Sequence, residues 1–599
     1  DNMANRQKKR NEIDDQYKWD LTTIYKDDEQ FLQMLEKIDK EITSLQPKDV
    51  FKSGESLYNY LKNSDYLEMN LDKLYTYAHL NNDSDTTVAK YDEYVNKVRN
   101  IYQKYAQKTN FFEPQLLKIN YKTIEKFYLE CPELKEYEIY LKEIYRFKEH
   151  TLNEQEEAII KELSKALNSS SDTYEKLTDT DMTFGNIKDE KNKTVELTES
   201  NYAIYTHSKN RRVRRSAFKK LMNKYGEFIH TISSTYSGYV NTLNGISNVY
   251  KYSNPLEQSL FADDIDVEVY DTLIKTVHEN MNVIYKYYNL RNRVLNLKKS
   301  HLYDTYVELI DNDSANYSFS EAKEIVLKAL SILGDDYTKI LEKAFDEKWI
   351  DIYNNKGKRG GAYSSGSFLT NPFILMNFEG KLNDISTLAH ELGHSMHSYF
   401  SIKNNSYKNS NYQIFVAEIA STVNEMLLAN YLLKESAEKT KILVLNNLLD
   451  LFKATIYRQT MFAEFEKKMV LDSKKEIILT SDYLCDNYYK LVKEYFGDNV
   501  IIDKEIQNEW ARIPHFYYDF YVYKYATGLS IASYIATEIF KGNQEMLKNY
   551  REFLKIGGRM NPRESLMTLG IDITKKDVVL NAIKLFDSYI EEFNTYISK

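Results

Sequence analysis

Seven prolines and eighteen glycines are all that interrupt 599 residues. A chain this short of helix breakers, and rich in Lys, Glu, Leu and Asn, is held to long helices rather than to short strands joined by turns. The apolar spacing agrees. Leu67, Leu71, Leu74, Tyr75 and Ala78 fall on one helical face, as do Phe218, Leu221, Met222, Tyr225 and Ile229. Pro47, Pro114, Pro132 and Pro255 stand at expected element boundaries. The predicted class is mainly α, and the length is ample for a sizeable core.

Two stretches break the helical pattern. The first, 182–202, is polar and charged at its centre, with Thr194–Leu197 as a short strand; it reads as a hairpin or loop. It divides an N-terminal helical lobe, 1–200, from a larger lobe, 201–599. The second is the Gly-rich stretch 357–366, followed by a β-favouring run, Phe373–Phe378. Segment 403–412, rich in Asn, Ser, Lys and Tyr, reads as an exposed loop.

Charge and composition exclude several roles. The formal net charge is −9, which argues against nucleic acid, because neutralising phosphates needs a basic face. The one basic run, 209–215, reads as the solvated start of a helix. No run approaches the ~20 apolar residues of a membrane span. Two distant cysteines, Cys131 and Cys485, and a polar N-terminus are expected of a cytoplasmic chain. Most of the 52 tyrosines read as helix–helix packing.

Chemistry concentrates in "TLAHELGHSMHSYF", 387–400, which holds three of the ten histidines. A helix N-capped by Asp384 would carry His390, Glu391 and His394. Histidines at i and i+4 share a face one turn apart, so both imidazoles reach one ion. Glu391, directly after the first, can hold an attacking water without being a ligand. His397 lies about 10 Å further along the axis from His390, too far to join them. Downstream, "FVAEIASTVNEML", 415–427, reads as a second helix with Glu418 and Glu425 along a similar face. Glu418 would complete a His₂Glu site with one open position. Glu425 would orient a ligand histidine.

In "RIPHFYYDFYVYKYATG", 512–528, His515, Tyr518 and Tyr525 are expected on adjacent turns of one helix face, as donors to a developing oxyanion. Tyr517 and Tyr523 read as packing. The Gly-rich stretch has no GK[ST] of a phosphate loop. With no Cβ atoms in the way, its backbone could instead pair with an extended peptide.

These segments, with "YKWDLTTIY" at 17–25, resemble the thimet oligopeptidase-like zinc peptidases, and within them the oligoendopeptidase F group. They occur in the expected order over nearly the whole chain. The resemblance implies a two-lobed helical metallopeptidase with a deep substrate channel and a small sheet beside the active-site helix. It implies one zinc ion on His390, His394 and Glu418, with Glu391 as general base and Glu425 as an acidic position near the metal. It implies His515 and tyrosines as oxyanion donors. The histidine-to-tyrosine spacing is shorter than in the animal oligopeptidases, so Tyr518, Tyr521 and Tyr525 all stand for that role. Gly360, Gly361, Ala362 and Tyr363 are the expected substrate-binding residues. The expected activity is endopeptidase cleavage of short peptides. A dipeptidyl carboxypeptidase or carboxypeptidase is the nearest alternative; a helical peptide-binding scaffold with a structural metal is the non-enzymatic one.

Overall fold

The computed structural model describes residues 6–311 and 315–598. Helices dominate, and the described strands are two or three residues long. Leu67, Leu71, Leu74 and Ala78 are buried along the helix Gly54–Ser84. Phe218, Leu221, Met222 and Tyr225 are buried along Arg211–Glu227, whereas Ile229 opens the next helix, Ile229–Val249, because the chain turns at Phe228. Pro132 and Pro255 begin helices, where a missing N–H goes unnoticed.

The chain forms two compact units. The first is built from 6–149, 315–431 and 535–570, and the second from 150–311, 432–534 and 571–598. Residue 200 lies inside the second, so these units do not follow a division at 200. The second is closed by a late helix, Asp577–Ile597, which packs on Val267–His278 and Met281–Val294.

In the first unit, one core joins Phe31, Ile38, Leu71, Leu74, Val98 and Ile101 to Phe373 and Leu375 of a small sheet. Strand Phe373–Leu375 is central. It pairs parallel with Ile350–Asp351 and antiparallel with Tyr363–Ser365, in register Tyr363 to Leu375. All three central residues are buried, as expected of a strand covered on both faces. Asp351 is buried between Arg10 and Lys358, with Lys358 Nζ at 2.7 Å.

Among its described residues the second unit is a stack of helices with a hairpin, Asn186–Lys188 against Thr194–Glu196, and a short parallel pair, Ser300–His301 with Val500–Ile501. The basic run differs from expectation. It does open a helix, but Arg214 is buried and donates to Asp304 at 2.7 Å, an acceptor that sequence alone did not offer. Among the described residues no helix is long and apolar enough to cross a membrane.

Candidate metal centre and active site

A turn with Gly380 at φ +84° leads from the central strand into the helix Leu382–Lys403. Asp384 is not its N-cap. It sits in the first turn and reaches back, Oδ2 accepting from the backbone N–H of Lys381 at 2.9 Å and of Glu379 at 3.1 Å. That satisfies the N-cap donor and one donor of the turn before it. Leu388, Ala389, Leu392 and Met396 bury one side of the helix. The other side carries His390 and His394, rings 4.9 Å apart.

Glu418 stands immediately before the helix Ile419–Glu435 rather than within it. Its backbone carbonyl accepts from Thr422 N–H at 3.0 Å, and its Oε2 accepts from Ser421 Oγ at 3.0 Å. The two helices approach closely at Gly393, where an added Cβ would lie 2.6 Å from Ser421 Cα and from the Ala420 carbonyl oxygen. Asn424 ties them further, donating to the Ala389 carbonyl at 3.0 Å.

This packing brings three donors together. Glu418 Oε2 lies 3.4 Å from His390 Nε2 and 3.2 Å from His394 Nε2. Three ligands at 2.0–2.1 Å on tetrahedral corners are about 3.3 Å from one another. The residues therefore fit a zinc ion. The other His390 nitrogen, Nδ1, is paired with Glu425 Oε1, which fixes the ring and its tautomer.

The electrostatics suit a cation. Burial alone would raise the Glu418 carboxyl, but His394 and His390 beside it hold it at about 2. Burial would lower the His390 imidazole, and Glu425 more than reverses this. Glu391 is 7% exposed, and burial pushes its carboxyl up against the pull of both histidines. Several perturbed groups in one cleft mark a functional site.

A cleft of about 730 Å³ opens over these residues. Its other wall holds residues that sequence reasoning missed: Asp72, Tyr75 and His79 from Gly54–Ser84, and Tyr407 and Tyr412. His79 is isolated in sequence, so no local signal marks it. Its Nε2 lies 3.1 Å from Ser365 Oγ on the edge strand. Segment 403–412, read as exposed, is in fact tied down. Tyr407 donates to Asp72 at 2.7 Å and Lys408 pairs with Glu68 at 2.7 Å. Tyr412 stacks on His397 at 3.7 Å. His397 is buried among these rings, 1% exposed, and burial drives its imidazole down to about 3. It packs rather than coordinates.

Strand Tyr363–Ser365 is the edge of its sheet, so one side of its backbone is open to a further strand. Tyr363 donates to Asp83 at 2.7 Å. Nothing lies within 4 Å of a Cβ placed at Gly360 or Gly361.

His515, Tyr518 and Tyr525 belong to the second unit, and they do not share a helix. Pro514–Tyr517 is a single 3-10 turn, Asp519 and Phe520 follow with φ of +46° and +58°, and Tyr523–Phe540 is a separate helix. The His515 ring is nevertheless 5.2 Å from Tyr518 and 6.2 Å from Tyr525. Tyr518 is 53% exposed. Tyr523 is fully buried, and Tyr517 stacks on Tyr174 at 4.2 Å, so both pack as expected.

Comparison with known proteins gives the family. Residues 204–585 match Peptidase family M3, and residues 115–184 match the Oligopeptidase F N-terminal family. The chain belongs to peptidase family M3. It is 39% identical to oligopeptidase PepF of Bacillus subtilis over all of this chain and 89% of that protein. It is 37% identical to a chromosomal oligoendopeptidase F of Lactococcus lactis subsp. cremoris, over 99% of both. A crystal structure of oligoendopeptidase-F from Enterococcus faecium superposes with a TM-score of 0.72 at 32% identity, covering 95% of this chain and 98% of that one. A chain from Chlamydophila abortus gives 0.93 at 33% identity, over 99% and 100%. Membership makes the chain a metal-dependent endopeptidase of the oligoendopeptidase type. The two family matches leave 185–203 between them.

Proposed function

We propose that this metallopeptidase uses one zinc ion, on His390, His394 and Glu418, to cut internal bonds of short peptides. The observation that carries the reading is the donor spacing of 3.2 and 3.4 Å beneath an open cleft. A structural zinc is normally closed by four protein ligands, whereas the described donor group holds three. Bound there, zinc supplies a Lewis acid and lowers the pKa of a water to about 7.

The chain's own residues do the rest. An extended peptide pairs along Gly360, Gly361, Ala362 and Tyr363, at the open edge of the sheet. Glu391, next to His390 and largely desolvated, takes the proton of the attacking water and hands it to the leaving amine. Glu425 keeps the His390 ring in its coordinating orientation. The family resemblance offers His515, with Tyr518 or Tyr525, as the oxyanion donors. Short peptides are favoured because a folded protein would have to unfold, at a cost of about 5–15 kcal/mol, to offer an extended segment. The cytoplasm is the expected compartment, in keeping with two unpaired cysteines.

A peptide blocked at both ends tests the endopeptidase reading. Internal cleavage, abolished by a chelator and restored by zinc, is the expected result. Cleavage only of peptides with a free C-terminus would favour the carboxypeptidase alternative.

A further inference from the structure

The stretch between His515 and Tyr525 contains two consecutive residues in the left-handed region, Asp519 and Phe520. Neither is glycine, so neither adopts this conformation without support from its surroundings. The support comes from three helices of the same unit. Phe520 N–H donates to Glu466 Oε2 at 2.9 Å, from the helix Gln459–Lys474. Asp519 N–H donates to the Tyr239 hydroxyl at 2.8 Å, from Ile229–Val249. The Asp519 carbonyl accepts from Ser259 Oγ at 2.9 Å, from Pro255–Ala262. Glu466 is fully buried, as is the Phe520 ring, which meets Tyr270 edge-on at 6.1 Å.

We propose that Glu466 is a positioning residue: by accepting the Phe520 N–H it fixes the Asp519–Phe520 turn, and through it the mutual placement of His515, Tyr518 and Tyr525. This rests on the reading that those three side chains serve the oxyanion. A fully buried carboxylate with no cation against it is costly. Burial pushes the Glu466 carboxyl far up, and the groups facing it, Tyr236, Tyr239, Tyr270 and Asp519, offer no positive charge. Burial therefore favours the neutral form of Glu466. Its acceptor oxygen is what the turn needs, and an amide supplies the same.

The test uses the full zinc-loaded chain, a quenched-fluorescent peptide blocked at both ends, and amide exchange of the segment 516–524. Glu466→Leu removes the acceptor. Its kcat should fall about 10²-fold, the scale of a small misplacement of catalytic groups. KM and zinc content should hold, and 516–524 should exchange faster. Glu466→Gln should restore both rate and protection. Wild-type exchange and turnover in Glu466→Leu overturns the proposal, as does a Glu466→Gln variant no better than Glu466→Leu. Should Glu466→Leu not fold, Tyr239→Phe removes another side-chain partner of the turn. Faster exchange with lower kcat then supports the cradle, and no change in either refutes it. His515→Ala, run alongside, separates the two levels. A slowed His515→Ala beside an unaffected Glu466→Leu defeats Glu466 alone. A His515→Ala at wild-type rate defeats the oxyanion reading, and the catalytic role of Glu466 with it.

Discussion

Gly393→Ala tests how the metal centre is assembled. Gly393 lies between Glu391 and His394, where the helix carrying both histidines touches the start of the helix that presents Glu418. A Cβ there would sit 2.6 Å from Ser421 Cα and from the Ala420 carbonyl oxygen, 0.8 Å short of the 3.4 Å at which ordinary contact begins. Both atoms are backbone, so no rotamer change relieves the clash. The helix must retreat, taking Glu418 with it. Donor separations now at 3.2 and 3.4 Å would open to roughly 4 Å. Metal–ligand distances tolerate only about ±0.2 Å. Overpacking should cost the fold about 1–3 kcal/mol, leaving it folded. Zinc affinity should fall at least as far as for loss of an orienting partner, about 10–100-fold, and kcat/KM with it. The assay is zinc competition against a chelator of known affinity, with circular dichroism to verify folding. A folded variant that binds zinc and turns over like the wild type would refute the claim that this contact sets the ligand geometry.

Three further outcomes follow from the same geometry. Glu425→Ala removes the partner of His390 Nδ1; zinc affinity measured by competition should drop about 10–100-fold, and Glu425→Gln, which keeps an acceptor, should lose less. His397 is buried neutral, its pKa lowered to about 3 by burial and then by His394. The unfolded chain therefore binds the extra proton below about pH 6.5, and the stability present above that pH is lost as pH falls towards 3. Urea titrations at pH 6.5 and 5 should show wild type losing on the order of 2 kcal/mol more than His397→Leu; equal losses would contradict this. His278 goes the other way: Glu464 chiefly, and Glu494 with it, raise its pKa against burial. Its contribution is present below about pH 6.5 and disappears as pH rises through the folded value, so His278→Gln should flatten the melting temperature against pH on the alkaline side.

What was legible in the sequence was what depends on local period. One helical turn brings His390 and His394 together whatever surrounds them, and the apolar faces at 67–78 and 218–225 follow the same rule. Glu418 was found by its chain distance from that helix and by the family pattern. Its position just ahead of the helix was not, because a cap depends on backbone conformation. The single helix expected across 515–525 fails at the left-handed Asp519–Phe520 turn, which side chains from three other helices hold in place. Asp72 and His79 were missed because they reach the cleft from a helix some 300 positions earlier. The tyrosine excess has a related cause. Beyond packing, hydroxyls satisfy carboxylates that the fold buries or half-buries: Tyr137 on Asp65 at 2.5 Å, Tyr225 on Glu199 at 2.5 Å and Tyr495 on Glu464 at 2.7 Å. Such pairs join distant segments, and no pattern within either segment announces them.

Glu391→Gln examines the core of the account most directly, with zinc content and turnover of a doubly blocked peptide measured on the same sample. Glutamine keeps the shape and leaves His390, His394 and Glu418 untouched, so one zinc per chain should remain while turnover disappears. Full zinc with wild-type turnover would contradict the assignment of Glu391 as the base.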